Sequence, residues 1–399
     1  MPSQQSAESA TSAPPLSDLR VLELGNIVAG PFASSILADL GAEVVKVERP
    51  GTGDVIRSSG EEGQAIFAAL NRNKRSVALD LKSEDGLESF YSLIEKADVF
   101  IENLGRGTPE RLGIGYEDLR ELNSELVYLS IKGFQTGPYG DRAGMDVVAE
   151  AMSGLMSVTG EPGRPPVRVG TSIADMGAAL YGVMGVFLAL RDRDRTGEGQ
   201  RVDGTLFESA AHWMSYWITY ADLSGHAPEP LGASHPSWGL YDVFETADGW
   251  FFVGVTTDRH WPAFCEATGL TDLEDDPRFA TAADRRDNQD ALYEVVQQEF
   301  RSRSRDALLD ALNDANVPAA PVNDATDLLD DPGLEAANLL ARFTPPGEDA
   351  TETQTVLAPV IGERFGPSQY RSPPGVGEHT DEVLAEYGDS TEQPPGPQD

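Results

Sequence analysis

Asp175 stands where one apolar run, Val167 to Ile173, meets another, Met176 to Leu190. The first run reads as a strand and the second as a helix. A carboxylate at that junction lies beside free N–H groups and the positive dipole end of a helix, which favour its ionised form. It is either a helix N-cap, a position that Asp favours, or an anionic nucleophile held at a strand end. A carboxylate is ordinarily ionised at neutral pH, so such a nucleophile needs no separate general base. The absence of a Ser–His pair fits that chemistry. The five histidines (His212, His226, His235, His260 and His379) show no metal-ligand spacing. Cys265, the one cysteine, excludes an intramolecular disulfide and a cysteine metal cluster. A metal-free enzyme is the expectation.

The elements that must position Asp175 alternate between strand and helix patterns. Val21–Leu24 reads as a strand, Phe32–Leu40 as a helix and Val44–Val47 as a second strand, a βαβ unit. Strands at Val77–Leu81, Val99–Asn103 and Leu126–Ile131 follow, with helices at Ser83–Lys96 and Met145–Val158. This alternation predicts an α/β fold, a Rossmann-like doubly wound parallel sheet. After Ser224 the chain turns rich in Gly, Pro and His. A hairpin is expected at Leu240–Phe244 and Trp250–Val255 around Asp248-Gly249, then helices at Trp261–Thr268, Arg285–Phe300 and Arg305–Ala315. The expected organisation is a disordered tail over 1–16, a large domain over 17–225 and a small α+β domain over 226–325. Residues 326–385, prefaced by Pro318–Val322, would return to the large domain, and 386–399 would form a second disordered tail.

Three further stretches could meet a ligand. Gly25-Asn26-Ile27-Val28-Ala29-Gly30-Pro31 forms the first β–α turn, where doubly wound sheets bind nucleotides. Its glycines are five apart and do not make the dinucleotide fingerprint, which disfavours a nicotinamide-dependent dehydrogenase. The turn either approaches a phosphate or merely starts a helix; Glu48 could hold a ribose hydroxyl and Arg49 a phosphate. Asn71-Arg72-Asn73-Lys74-Arg75 is the one dense basic cluster, a site for a bound polyanion or a set of local salt bridges. The glycine-rich loop Gly133 to Tyr139 covers a ligand or is a plain turn.

The net charge of −36 is dispersed along the chain, which argues against nucleic acid as a partner. Lys46, Lys74, Lys82, Lys96 and Lys132 are the only lysines. A dispersed acidic surface with so little lysine suggests solubility in a high-salt cytoplasm, where salt screens self-repulsion. No apolar stretch reads as a membrane span, and the first residues lack signal-peptide features, so a cytoplasmic protein is expected.

Taken in order, several segments resemble the class III coenzyme A transferases (the CaiB/BaiF type), which include formyl-CoA transferase, carnitine-CoA transferase and the alpha-methylacyl-CoA racemases. They are LSDLRVLELGNIVAGPFASSILADLGAEVVKVERPGTGD, NRNKRSVALDLKSEDG, ADVFIENLGRGTPERLGIGYEDL, SIKGFQTGPYGDRAGMDVVAEAMSGLMSVTG, GTSIADMGAAL and RTGEGQRVDGTLFESA, with shorter matches to GEHTDEVL. The resemblance implies that Asp175 is the catalytic aspartate, transiently acylated and then joined to CoA while one acid replaces another. It implies that Asn26, Ile27, Val28 and Ala29 pack along the coenzyme and that Arg49 lies near its phosphates. Leu79, Lys82, Asn103, Leu104 and Arg111 fall on further coenzyme contacts, and Gln135 borders the acyl group. Coenzyme A and acyl-CoA would be substrates, with no tightly bound cofactor. The implied assembly is a homodimer of two interlocked rings.

Two departures matter. Racemases of the group pair the aspartate with a histidine in a G-H-D stretch, and here that stretch is Gly144-Met145-Asp146. Methionine carries no proton, so two-base racemisation loses a base. The glycine run that shields the intermediate in formyl-CoA enzymes is also missing; Gly232 to Gly239 is the nearest stretch. FQTGPYGDRAGMD and HPSWGLYDVF look most like members handling C4–C5 dicarboxylic acids, which implies succinyl-CoA as donor and a mesaconate-like acceptor. Arg142, Arg164 and Arg168 are candidates to pair with a distal carboxylate. A non-catalytic acyl-CoA-binding protein is the remaining rival.

Overall fold

Neighbouring residues in the strands send their side chains to opposite faces, and here both faces are apolar. Val21, Val44, Ile101 and Leu129 enter one core, whereas Leu22, Val45, Phe100 and Tyr128 enter another. Such strands must be covered on both sides, the condition for a central parallel sheet. The computed structural model describes residues 14–347 and 350–387.

The chain begins β1 (Arg20–Leu24), α1 (Ala29–Asp39), β2 (Glu43–Glu48), α2 (Gly60–Asn71), β3 (Lys74–Ala78), α3 (Glu84–Ile94) and β4 (Val99–Glu102). Short helices α4 (Thr108–Arg111) and α5 (Tyr116–Leu122) lead to β5 (Val127–Lys132). Then come α6 (Asp146–Ser153), α7 (Leu155–Val158), α8 (Ile173–Thr196), β6 (Arg201–Thr205), α9 (Leu206–Trp213) and α10 (Ser215–Ser224). The six strands pair in parallel in the order β3-β2-β1-β4-β5-β6. Strand order reverses between β1 and β4, which opens a crevice at their carboxyl ends.

Two compact units emerge: the first runs to Leu155 and includes Val169–Tyr216 and the chain from Asp331; the second comprises Met156–Arg168 and Trp217–Asp330. In the second, β7 (Leu240–Glu245) and β8 (Trp250–Val255) form the expected antiparallel hairpin. Helices α11 (His260–Thr268), α12 (Ala282–Asp287), α13 (Gln289–Phe300) and α14 (Arg305–Asp314) precede β9 (Ala319–Pro321). Strand β9 pairs with β8, so Pro318–Val322 completes this sheet instead of leading away from it. The first unit closes with α15 (Pro332–Ala336), the pair β10 (Leu340–Phe343) and β11 (Thr353–Val356), and α16 (Thr380–Tyr387).

Three local expectations change. The helix expected over Met145–Val158 breaks at Gly154, whose φ of 89° is the left-handed helix stop that glycine adopts freely. The helix expected over Arg285–Phe300 breaks at Asn288, whose amide donates to the Asp284 carbonyl at 2.9 Å. Val167–Ile173 forms no strand: the Val169 N–H donates to Glu150 Oε2 at 2.8 Å, and Ile173 already belongs to α8.

Helix α8 is, by length and composition, apolar enough to cross a membrane, contrary to the sequence reading. Its small-residue face instead presses on the sheet. A Cβ on Gly182 would lie 2.9 Å from Leu129, and one on Gly185 2.5 Å from Val202. This face packs into the core, while the opposite face leaves Leu180, Met184, Phe187 and Leu188 exposed.

Under the carboxyl edge of β1–β3 lies a set of wholly buried charges. Glu23 bonds Lys46 at 2.9 Å and Lys74 at 3.1 Å, and Lys46 reaches Asp54 at 3.1 Å. Burial pushes the Lys74 ammonium down to about 8 even with Glu23 beside it. Removing the shared partner leaves buried Lys74 without an ion-pair partner and Lys46 with Asp54 alone. Glu23→Ala is expected to cost about 3–5 kcal/mol, read by chemical denaturation; a loss under about 1 kcal/mol would contradict that.

Candidate active site

Asp175 occupies the third position of α8, two residues past its start. Ser172 precedes α8 and makes no side-chain cap. The capping carboxylate comes from another helix: Asp146, at the start of α6, accepts the N–H groups of Ala174 (2.8 Å) and Asp175 (3.2 Å). Ile173 N–H donates to the Thr171 carbonyl and Met176 N–H to that of Ser172. All four leading donors of α8 are therefore used, and none of them is left for a ligand.

The same arrangement corrects the protonation of Asp175. Burial, and then the Asp146 carboxylate, raise its pKa to about 7. The helix dipole that was expected to keep it ionised is offset by desolvation and a like charge. Near neutrality, Asp175 is divided between carboxylate and carboxylic acid.

Asp146 is placed by the loop before it. Gly133 and Gly144 pinch the loop at its base, where a Cβ on Gly133 would lie 2.4 Å from the Gly144 Cα. Inside, Phe134, Tyr139 and Phe207 form a ring cluster with centroids 5.7–5.9 Å apart. Glu208 of α9 accepts the Gln135 N–H at 3.1 Å. The Arg142 guanidinium lies 4.5 Å from the centre of the Tyr139 ring and makes no ion pair among the described residues. Met145 is 64% exposed. Arg164 and Arg168 belong to the second unit.

A cleft of about 470 Å³ opens at the carboxyl edge of the sheet. It gathers Asn26, Arg49, Leu79, Lys82, Leu104 and Arg111 from five separate stretches. Arg49, Lys82 and Arg111 are exposed and form no ion pair among the described residues. In a chain with 66 acidic and 30 basic side chains, leaving cations unpaired at one opening favours a polyanionic ligand. Asn103 braces the turn, bonding both the N–H (2.8 Å) and the carbonyl (2.9 Å) of Asn26. Ile27 is 44% exposed; Val28 and Ala29 are buried at the start of α1.

The basic cluster at 71–75 is not such a site. Lys74 is buried on Glu23, Arg72 pairs with Asp39, and Arg75 pairs with Glu382 (3.0 Å) and Glu386 (2.7 Å). Glu48 is likewise committed to Arg57, Ser76 and the Asp54 N–H, which leaves no free oxygen for a ribose. Of the two readings left open for the cluster, the structure shows the salt bridges, with carboxylates far along the chain; the ribose reading of Glu48 fails because Arg57, nearby in sequence, already holds it. Asp146 and Asp54 were missed, although Asp146 ends the Gly-Met-Asp stretch and Asp54 ends Gly-Thr-Gly-Asp.

A parallel sheet with a cation-rimmed cleft at its switch point and a perturbed carboxyl at a helix start defines an α/β enzyme that handles an anionic ligand. The model of CoA-transferase family III matches residues 16–380, and the chain belongs to that family. It is a CoA-transferase. The succinyl-CoA:mesaconate CoA-transferase of Haloarcula marismortui is 38% identical, covering 94% of this chain and 97% of its own. The succinate–glutarate CoA-transferase of Agrobacterium fabrum is also 38% identical, covering 94% and 96%. A CaiB/BaiF family protein from Brucella suis superposes with a TM-score of 0.86 at 35% identity, covering 94% of this chain and 100% of its own.

A folded-state pKa above the unfolded one means that protonated Asp175 favours the fold. That contribution is complete below about 4 and is lost as pH rises through about 7. Asp175→Asn is therefore expected to raise Tm at pH 8 and leave it unchanged near pH 4. Asp146→Asn should move the Asp175 titration, followed by carbon-13 NMR, to lower pH. An unmoved titration would mean that Asp146 exerts no field there.

Proposed function

We propose that the enzyme moves CoA from an acyl-CoA thioester to a free carboxylic acid through covalent links on Asp175. The Asp175 carboxylate attacks the thioester carbonyl, forming a mixed anhydride and releasing CoA thiolate. The thiolate attacks the aspartyl carbonyl, expelling the donor acid and leaving an aspartyl-CoA thioester. The acceptor carboxylate then displaces thiolate to give a second anhydride. Attack of thiolate on the acceptor carbonyl completes the new thioester and restores Asp175. Each step conserves the energy of the thioester.

The single observation carrying this reading is Asp175 itself, a half-buried, nucleophile-capable carboxyl at the start of α8. The turn after β1 links it to the cleft: Asn26 lines the cleft, and Ala29 shares a core cluster with Ala174. Arg49, Lys82 and Arg111 would take the coenzyme phosphates, with Leu79 and Leu104 against the adenine and Asn26 to Ala29 along the arm. Helix α1 starts without a side-chain cap, which supports it as the donor of backbone N–H groups to the developing oxyanions. Exposed Met145, where a racemase needs a base, disfavours epimerisation.

Succinyl-CoA is the proposed donor and a C4–C5 dicarboxylate such as mesaconate the acceptor. The names of the two transferases above support this, and so does unpaired Arg142 on the loop of Gln135. Arg164 and Arg168 are further candidates for the distal carboxylate. The net charge of −36 supports work in a salt-rich cytoplasm. The stripe Leu180, Met184, Phe187 and Leu188 follows helical spacing and supports a homodimer that covers it.

A panel of acyl-CoA donors against free acids, read by mass spectrometry at high salt, tests the transfer. Asp175→Ala should lower exchange by about 1,000-fold or more while CoA still binds. Hydroxylamine added during turnover should mark Asp175 and no other carboxyl; substantial exchange by Asp175→Ala would end the covalent scheme. With ionised Asp175 as nucleophile, kcat/KM should rise about tenfold per pH unit up to roughly 7 and then level.

Leu188→Glu places a charge within the exposed stripe and is expected to yield monomers by light scattering. An unchanged dimer would move the interface elsewhere.

A further inference from the structure

Among the described residues, four that are not glycine hold a positive φ: Asn73, Asn316, Asn338 and Ile27. Asparagine tolerates the left-handed region, whereas a β-branched side chain there is a true outlier. Ile27, at φ 66°, therefore carries strain that its surroundings must hold in place.

The surroundings do hold it, and from four sides. Glu23 accepts the Gly25 N–H at 2.8 Å, and Lys46 donates to the Gly25 carbonyl at 2.8 Å. Asn103 grips both polar groups of Asn26. The Ile27 N–H donates to Asp54, whose oxygens lie 3.1 and 3.3 Å away. Asp54 is only 2% exposed and is itself fixed by Lys46 and by the Ile56 N–H at 3.1 Å. Of the four gripping residues, Asp54 is the one that hydrogen-bonds the strained residue itself. It also lines the cleft.

We propose that Asp54 is a positioning residue for CoA transfer: a buried carboxylate that clamps Ile27 in the left-handed region and so sets the course of the first β–α turn along the ligand cleft. The inference rests on the transfer reading above, because that reading gives the turn its ligand. Without the clamp the turn relaxes to an ordinary backbone conformation, and Asn26 and the start of α1 leave their places at the cleft and beside α8.

A merely structural Asp54 and a clamp differ in one measurable respect. A clamp matters only while there is strain to hold. Asp54→Asn should lower kcat/KM about 30-fold in the native background and less than about 5-fold in an Ile27→Asn background, where asparagine accepts the left-handed turn. Ile27→Asn alone should raise Tm by roughly 2 °C, since it releases strain while the fold is kept. Equal penalties in the two backgrounds, or an Ile27→Asn variant that melts lower, would overturn the clamp. Circular dichroism and Tm of every variant separate a rate effect from misfolding. Failure of the transfer reading would show differently, as a native enzyme that exchanges nothing across the acid panel.

Discussion

The contacts of Glu23 with Lys46 and Lys74 tie together the first three strands of the sheet, and much of the site is built on top of them. Each of these side chains is fully buried. A lone charge there would be prohibitive, so the set exists only when all its members are in place. Lys46 extends the set to Asp54, and Asp54 reaches the turn that lines the cleft. Loss of one partner would therefore be felt both in stability and in the shape of the turn.

A second carboxyl pair works in the opposite sense. In the first set, opposite charges compensate one another; Asp146 and Asp175 bring like charges together at one helix end. The peptide N–H groups of α8 stabilise Asp146, and Asp175 bears the electrostatic consequence. A raised proton affinity makes a carboxylate more basic and thereby a more reactive oxygen nucleophile once ionised. The helix end thus serves as an anchor for one carboxylate and as a setting for the other.

Much of the architecture was legible in the chain. Alternation of apolar runs gave the parallel sheet, and Ser83 was readable as a helix start, where the structure shows its hydroxyl accepting the Gly86 N–H at 3.1 Å. Resemblance identified the transferase family from motifs in order. Local density of charge could not decide between a ligand site and salt bridges at Arg72, Lys74 and Arg75, because their partners, Asp39, Glu23, Glu382 and Glu386, lie far along the chain. The apolar run before Asp175 looked like a strand because composition cannot reveal that its backbone has no neighbouring strand to pair with.

Residue order by itself determined the periodicities, the alternation of elements and the position of Asp175 beside a helix, because these depend on spacings of a few residues. Only the tertiary structure decided which cations are consumed internally and which remain at the cleft. It also decided that Asp146 meets Asp175 and that Ile27 is held against its own preference. Charge pairing, desolvation and backbone strain arise between groups brought together across the sheet, and no local window contains both partners.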